Sequence, residues 1–249
     1  MTSYDDMRLS VVIPCFNEAA RLRRTLGDVL EWTRANHVSA EIIAVDDGST
    51  DETVSLIEQW MRDTPELSLV RLPHNRGKGA AVRAGMRAAT GERRAFIDAD
   101  GAVPFREMER FGRALDEGAD IVIGSRVLDP SRVEALAHRR YIGAAFRGMV
   151  RWLLVRGVED TQCGFKLFRA AAADLVFTEQ RLTGFAFDVE VLARAERLGL
   201  RIVELPVEWH EQKGSKVRLV RDGLAMAADL VRLRRRLGSA GTRRGSQQR

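Results

Sequence analysis

Five short apolar runs, each ending on polar residues and each followed by a helix-period stretch, fill the first 126 residues: "LSVVIP", "EIIAVDD", "LSLVRLP", "RAFIDAD" and "DIVIGSR". Runs this continuous fit strands covered on both faces, as in a parallel sheet. Helical patterns lie between them at about 18–35, 51–62, 78–89 and 105–117. This βαβα rhythm predicts an α/β fold with an open, doubly wound, mostly parallel sheet. In such sheets ligands bind beyond the carboxyl ends of the strands. Polar residues should therefore gather on one edge: 14–18, 46–48, 75–77, 98–100 and 124–126.

Beyond Arg126 the texture changes. Residues 135–158 have helical period, with Arg139, Arg140, Arg147, Arg151 and Arg156 interrupting an apolar surface. Residues 184–200 predict another helix, 201–209 a late strand and 219–238 an amphipathic helix. Between them "VEDTQCGFKLFR" is dense in polar groups. With "GSKVR", Arg126, Arg139 and Arg140 it would supply the cations that a diphosphate and a second phosphate need, although each alone is more often surface charge.

Charge narrows the partners. The chain has 249 residues, 40 of them basic and 35 acidic, for a net +5. Seven of those bases are arginines within 232–249, where no acid occurs, which leaves 33 bases against 35 acids elsewhere. The basic character thus describes one end, which argues against a nucleic-acid-binding fold and points instead to an anionic membrane surface or a solvated, flexible tail over 236–249. No stretch approaches the ~20 uncharged apolar residues of a membrane span. The two cysteines, Cys15 and Cys163, and the absence of a signal-like N-terminus predict a cytoplasmic protein without a disulfide framework.

The "DAD" at the end of the fourth run raises the sharpest chemical question. Asp98 and Asp100 follow a buried stretch, and Gly101 permits the turn that would let both converge on one ion. Hard oxygen donors suit Mg²⁺ or Mn²⁺, whereas four histidines and two cysteines without ligand spacing disfavour zinc. The plain alternative is a capped, solvated turn. Asp46 and Asp47 form a second acidic pair on the same predicted edge, and a Gly-rich turn capped by Thr50 or Asp51 leaves one of them unexplained. "NRGKGAAVRAG" lacks the spacing of a phosphate loop and is read mainly as a tight turn into a helix packed through Gly79, Ala80 and Ala81, with a weak anion role for the helix N-terminus as the alternative.

In order, "VVIPCFNE", "VDDGSTDET", "NRGKGAAVRAG", "DADGA", "GSR", "DTQCGFKLF", "FAFDVEVL" and "GSK" resemble glycosyltransferase family 2 enzymes of the GT-A fold, over about 9–235. The last motifs are similar to those of dolichyl-phosphate or polyprenyl-phosphate β-glucosyltransferases. The resemblance implies a single domain over 1–235, with a nucleotide-binding half at about 9–126 and an acceptor half at about 127–235. Pro14, Phe16, Glu18, Val45 and Asp47 would hold the nucleotide together with Asp98 and Ala99. Asp98 and Asp100 would bind Mg²⁺ or Mn²⁺. Arg126 and Arg139 would face the acceptor phosphate, and Asp100, Asp188, Arg126 and Lys216 would serve catalysis. Asp188 is expected to orient the sugar or a phosphate-binding arginine. The implied reaction moves glucose from UDP-glucose to a polyprenyl phosphate with inversion, at the cytoplasmic face of a membrane.

Three departures mark the branch. Phe16 stands where many relatives have tyrosine, Ala102 where mannose synthases have glutamine, and Gly143 where they have serine. The alternatives are transfer from GDP-mannose, or a catalytically silent nucleotide-binding module that recruits partners to a membrane. The helices at 146–158 and 219–237 suit in-plane membrane insertion or a homodimer interface. The sequence shows neither the N-terminal anchor nor the C-terminal spans of eukaryotic relatives.

Overall fold

The computed structural model describes residues 8–134, 148, 150, 154–155, 157–212 and 219–244. In chain order, β1 (Leu9–Cys15), α1 (Ala19–Ala35), β2 (Ala40–Asp46), α2 (Thr53–Met61), β3 (Leu67–Arg71), α3 (Lys78–Ala88) and β4 (Arg93–Ile97) alternate as the sequence predicts. A 3-10 turn at Phe105–Glu107 then leads into α4 (Met108–Asp116), followed by β5 (Ile121–Ser125) and the short β6 (Val133–Glu134). The second half contributes β7 (Phe165–Arg169), α5 (Ala170–Thr178), α6 (Phe187–Arg197), β8 (Ile202–Pro206), β9 (Trp209–His210) and α7 (Leu219–Arg244).

Seven strands form one sheet in the order β3-β2-β1-β4-β7-β5-β8, and β6 pairs with β9 apart from it. Six of the seven run parallel, and β7 is inserted antiparallel between β4 and β5. The α/β doubly wound expectation holds, but β7 and α5 were not legible as elements in "VEDTQCGFKLFR". The reversal of β7 has a consequence for the site. Its first residue, Phe165, pairs with the last residue of β4, Ile97. The loop 160–164 therefore emerges on the same edge as the carboxyl ends of β1, β2, β4 and β5.

Both faces of the sheet are covered, which is why the strands read as continuous apolar runs. Val12, Val45, Phe96, Ile123 and Phe168 face α3, α5, α6 and α7. Val11, Ile13, Ala95, Val122 and Phe165 face α1 and α4. Each fully buried Val, Ile or Phe contributes ~1.5–3 kcal/mol of transfer free energy. The apolar stripe of α7, Met226, Leu230, Leu233 and Leu237, is itself buried in the first of these clusters. These four residues are therefore not available to either use expected of the helix, in-plane membrane insertion or a homodimer interface. Its exposed residues include Arg232, Arg234, Arg235 and Arg236. Most of the expected helix at 135–158, including Trp152, lies outside the described residues. Among the described residues no helix is long and apolar enough to cross a membrane.

Gly85 shows how closely α3 seats on the sheet. A Cβ there would lie 2.3 Å from Val12 Cγ1 and 2.9 Å from Val45 Cγ2. Alanine is favoured over glycine by ~1 kcal/mol within a helix, whereas overpacking costs ~1–3 kcal/mol. Gly85→Ala should therefore destabilise the protein by about 1 kcal/mol or more in urea unfolding. A gain in stability would mean that the packing of α3 on β1 and β2 is looser than described.

Candidate functional site

Four chain reversals build one polar cluster at the sheet edge. Asp98 and Asp100 follow β4, with Gly101 at φ 63° making the turn that the sequence anticipated. The Asp98 amide donates to the Gly164 carbonyl at 2.9 Å. A Cβ on Gly164 would sit 1.9 Å from Asp98 Oδ2, so only glycine allows the 160–164 loop to approach this closely. Ala99 is buried, and its carbonyl accepts from Thr25 Oγ1 at 2.8 Å. Asp100 Oδ1 accepts the Ala102 amide at 3.1 Å.

Lys78, the first residue of α3, supplies a compensating cation for these acids: its Nζ lies 2.5 Å from Asp98 Oδ1. Sequence reasoning treated "NRGKG" as a turn and missed this role, although Gly79, Ala80 and Ala81 do pack as expected. A second lysine is deeper. Lys166 on β7 is wholly buried, donates to Asp188 Oδ1 at 2.6 Å and to the Cys163 carbonyl at 2.7 Å, and lies 4.9 Å from the Phe96 ring centroid. The signal was present in "FKLF": a lysine alternating with buried apolar residues demands an acid. Asp188, in the first turn of α6, is that acid. Its side-chain partner is thus a lysine and not the phosphate-binding arginine that was one of the two readings from the sequence.

Arg126 is also committed. Its Nε and Nη2 form a two-pronged pair with Asp160 at 2.7 and 2.9 Å, and its amide donates to the same carboxylate at 3.1 Å. Arg139 and Lys216, together with Gly143, lie outside the described residues.

The nucleotide side is built by turns. Both oxygens of Asp47 accept amides, from Arg76 at 2.7 Å and Gly77 at 2.8 Å, while Asp46 accepts the Ser49 amide at 3.0 Å. Turn geometry therefore uses both acids, contrary to the expectation that one would be left over. Asn17, at φ 53°, accepts the Thr50 amide on its side-chain oxygen and donates its own backbone amide to Ser49 Oγ. Glu18 pairs with Arg21 at 2.6 Å. Pro14 and Phe16 are half-buried beside them, whereas Val45 is wholly buried and presents no surface here.

Electrostatics follow from burial and pairing. Burial raises the Asp188 carboxyl, with Lys166 and Lys78 opposing the shift. Burial and repulsion from Asp98 raise Asp100. Burial would lower Lys78, but Asp98, Asp188 and Asp100 outweigh it and hold the ammonium charged. Asp160 is buried too, yet Arg126 brings it down to about 2. Burial pushes the Cys163 thiol up to about 12, which keeps it protonated.

Asp98 and Asp100 thus lie side by side at the edge with Lys78 as the cation against Asp98. Two hard carboxylates suit a Mg²⁺-like ion, the remaining ligands coming from a substrate diphosphate and water. Among the described residues no group of three His, Cys, Asp or Glu could hold a metal alone. The residues present thus fit a cation that arrives with a phosphorylated ligand.

The family model described as Glycosyl transferase family 2 matches residues 10–177. Dolichyl-phosphate β-glucosyltransferase of Dictyostelium discoideum is 36% identical, the match covering 92% of this chain and 75% of that protein. The enzyme of the same name from Saccharomyces cerevisiae is also 36% identical, over 92% and 75%. The human one is 34% identical over the same shares. Among solved structures, glucosyl-3-phosphoglycerate synthase of Mycobacterium tuberculosis with phosphoglyceric acid superposes with a TM-score of 0.70 at 20% identity, covering 93% of this chain and 81% of that one. The same synthase with Mn²⁺, UDP-glucose and phosphoglyceric acid gives 0.68 at 20% identity, over 93% and 81%.

The Arg126–Asp160 pair carries a pH signature. Asp160 binds protons less readily folded, at about 2, than at its ordinary 3.8, so the unfolded chain holds more protons in between. Its contribution is complete above about pH 4 and should fade as pH falls toward 2. Asp160→Asn should cost about 3 kcal/mol at neutral pH, the low end for breaking such a pair because the Arg126 side chain is 33% exposed. It should also flatten that acid limb in pH-resolved denaturant melts, and an unchanged limb would overturn the assignment.

Proposed function

Because the chain belongs to glycosyltransferase family 2, we propose that it moves glucose from UDP-glucose to a polyprenyl phosphate, inverting the anomeric carbon. That it is a glycosyltransferase follows from the family and its dolichyl-phosphate β-glucosyltransferase relatives. The finer assignment rests most on one observation: where β4 ends, Lys78 and Asp98 form a part-exposed ion pair next to Asp100, backed by the buried Lys166–Asp188 pair. This is the chemistry needed to receive a diphosphate and a reacting sugar.

The uridine would lie along Pro14, Phe16 and Glu18, with Phe16 offering a stacking face. Asp47 would contribute indirectly, by fixing the Arg76–Gly77 turn, and directly through lone pairs that those amides leave open. Bound at Asp98 and Asp100, Mg²⁺ or Mn²⁺ would offset the charge gathering on the departing diphosphate. Lys78 stands beside that charge and would add preorganised stabilisation. Asp188, tied to Lys166, would orient the sugar. A general base is unnecessary, since a phosphate monoester with a second pKa of ~6 is already ionised at neutral pH. Arg126, held by Asp160, with Arg139 and Lys216 from the segments beyond, would face the acceptor phosphate.

The acceptor's lipid tail places the reaction at a membrane, on the cytoplasmic side as the cysteines suggest. With the α7 apolar stripe buried, the contact would be electrostatic, through the exposed arginines 232 and 234–236. Binding to phosphatidylserine-containing vesicles should weaken with rising salt and drop when these four arginines become glutamine. Deleting 232–249 would be a poor test, because it removes Leu233 and Leu237 from the core. Vesicle binding that ignores both salt and the substitutions would refute this contact.

Incubation with UDP-glucose, Mg²⁺ or Mn²⁺ and a polyprenyl phosphate should yield an acid-labile glucolipid. Asp100→Ala should cut the rate by ~10²-fold or more. Competition with GDP-mannose decides the donor, and preference for it would refute the glucosyl assignment. Binding of UDP without any transfer would favour the silent-module alternative.

A further inference from the structure

We propose that Lys78 is an exchangeable counter-ion, which neutralises Asp98 while the donor site is empty and passes to the donor's diphosphate when a divalent cation takes Asp98. The exchange would make cation and nucleotide bind cooperatively. This inference rests on the reading of Asp98 and Asp100 as the cation seat.

The two lysines of the site differ in a way that supports it. Lys166 is sealed, with Asp188 and the Cys163 carbonyl holding its ammonium and no surface left to water. Lys78 and Asp98 form an equally short pair, yet their side chains keep 19% and 35% of their surface exposed. A cation or phosphate from solvent can therefore reach this pair and not the other.

The backbone under Lys78 is fixed, whereas its ammonium is held by Asp98 at a part-exposed edge. Asp47 holds the Arg76 and Gly77 amides. Gly77, at φ 98°, leaves no room for a Cβ, which would lie 2.5 Å from the Thr183 carbonyl oxygen. A Cβ on Gly79 would lie 2.6 Å from both the Leu182 carbonyl oxygen and Phe187 Cβ. Lys78 is thus a four-carbon stem on an anchored base, paired with Asp98 and within the electrostatic reach of Asp188 and Asp100. An ammonium that occupies Asp98 Oδ1 competes with a metal ion for that oxygen. A diphosphate arriving with the metal gives the displaced ammonium a new anion. Competition in the first case and cooperation in the second together form a coupling free energy, and it must act equally on both ligands.

Mn²⁺ binding followed by electron paramagnetic resonance, with and without UDP, tests the exchange. In the unsubstituted protein UDP should raise Mn²⁺ affinity by ~5-fold or more, and Mn²⁺ should raise UDP affinity by the same factor. K78Q should bind Mn²⁺ alone ~3-fold or more tighter, with the UDP coupling falling toward none. K78R, which keeps a cation on a long stem, should retain most of the coupling. A fixed structural bridge predicts the opposite for K78Q, namely weaker Mn²⁺ binding without UDP and unchanged coupling, and that result would overturn the proposal. Loss of coupling in K78R as complete as in K78Q would overturn it as well. Failure of the unsubstituted protein to bind Mn²⁺ even with UDP would instead remove the cation seat on which the inference rests.

Discussion

The buried Lys166–Asp188 pair is the constraint around which the rest of the edge is arranged. An ammonium with no access to water survives only if a carboxylate and further acceptors surround it. Asp188 and the Cys163 carbonyl do this, with the Phe96 ring beneath. Because breaking such a pair costs ~3–5 kcal/mol, it pins β7, in the middle of the sheet, to the first turn of α6. The half of the chain that follows β5 is thereby held against β4, beside the part-exposed Lys78–Asp98 pair.

Close approach of charged groups requires backbone without side chains, and glycines provide it at two points. Gly164 lets the 160–164 loop lie against Asp98, and Gly77 lets the start of α3 lie against Thr183. With side chains in either place the loops would separate and water would enter. The attractions would then weaken as the effective dielectric rises. The same closeness raises Asp100 and Asp188, since burial disfavours their charged forms. Acids held in this way depend on the cations beside them, Lys78 for Asp98 and Lys166 for Asp188.

How much of this was legible in the sequence depended on whether the signal was local. The first five strands and four helices carried their own periodicity, and the acids at the ends of β2 and β4 announced themselves. β7 did not, because its strand is five residues long, contains a lysine and an arginine, and directly abuts α5. Its direction is a tertiary fact that no period reports. Once β7 is known to run antiparallel, the position of Asp160, Gly164 and Lys166 at the site follows at once. Lys78 escaped for a related reason. Its motif was judged by phosphate-loop spacing, whereas its role depends on Asp47 and the Thr183 loop, which lie far away in sequence. Asp188 was found, but its partner was not, since a helix N-terminus welcomes an acid whatever it pairs with.

The α7 helix shows why amphipathicity alone does not identify a membrane surface. A stripe of Met226, Leu230, Leu233 and Leu237 beside arginines reads equally well as an interfacial anchor or as a helix capping a core. Burial decides for the core, since each leucine contributes ~1.5–3 kcal/mol there, a gain that transfer into a bilayer would only replace. What remains for a membrane is charge, and a few exposed arginines near an anionic surface contribute ~1 kcal/mol each. Attraction of that size is reversible and sensitive to salt. It would let the protein come and go from an anionic surface without burying any of its apolar core there.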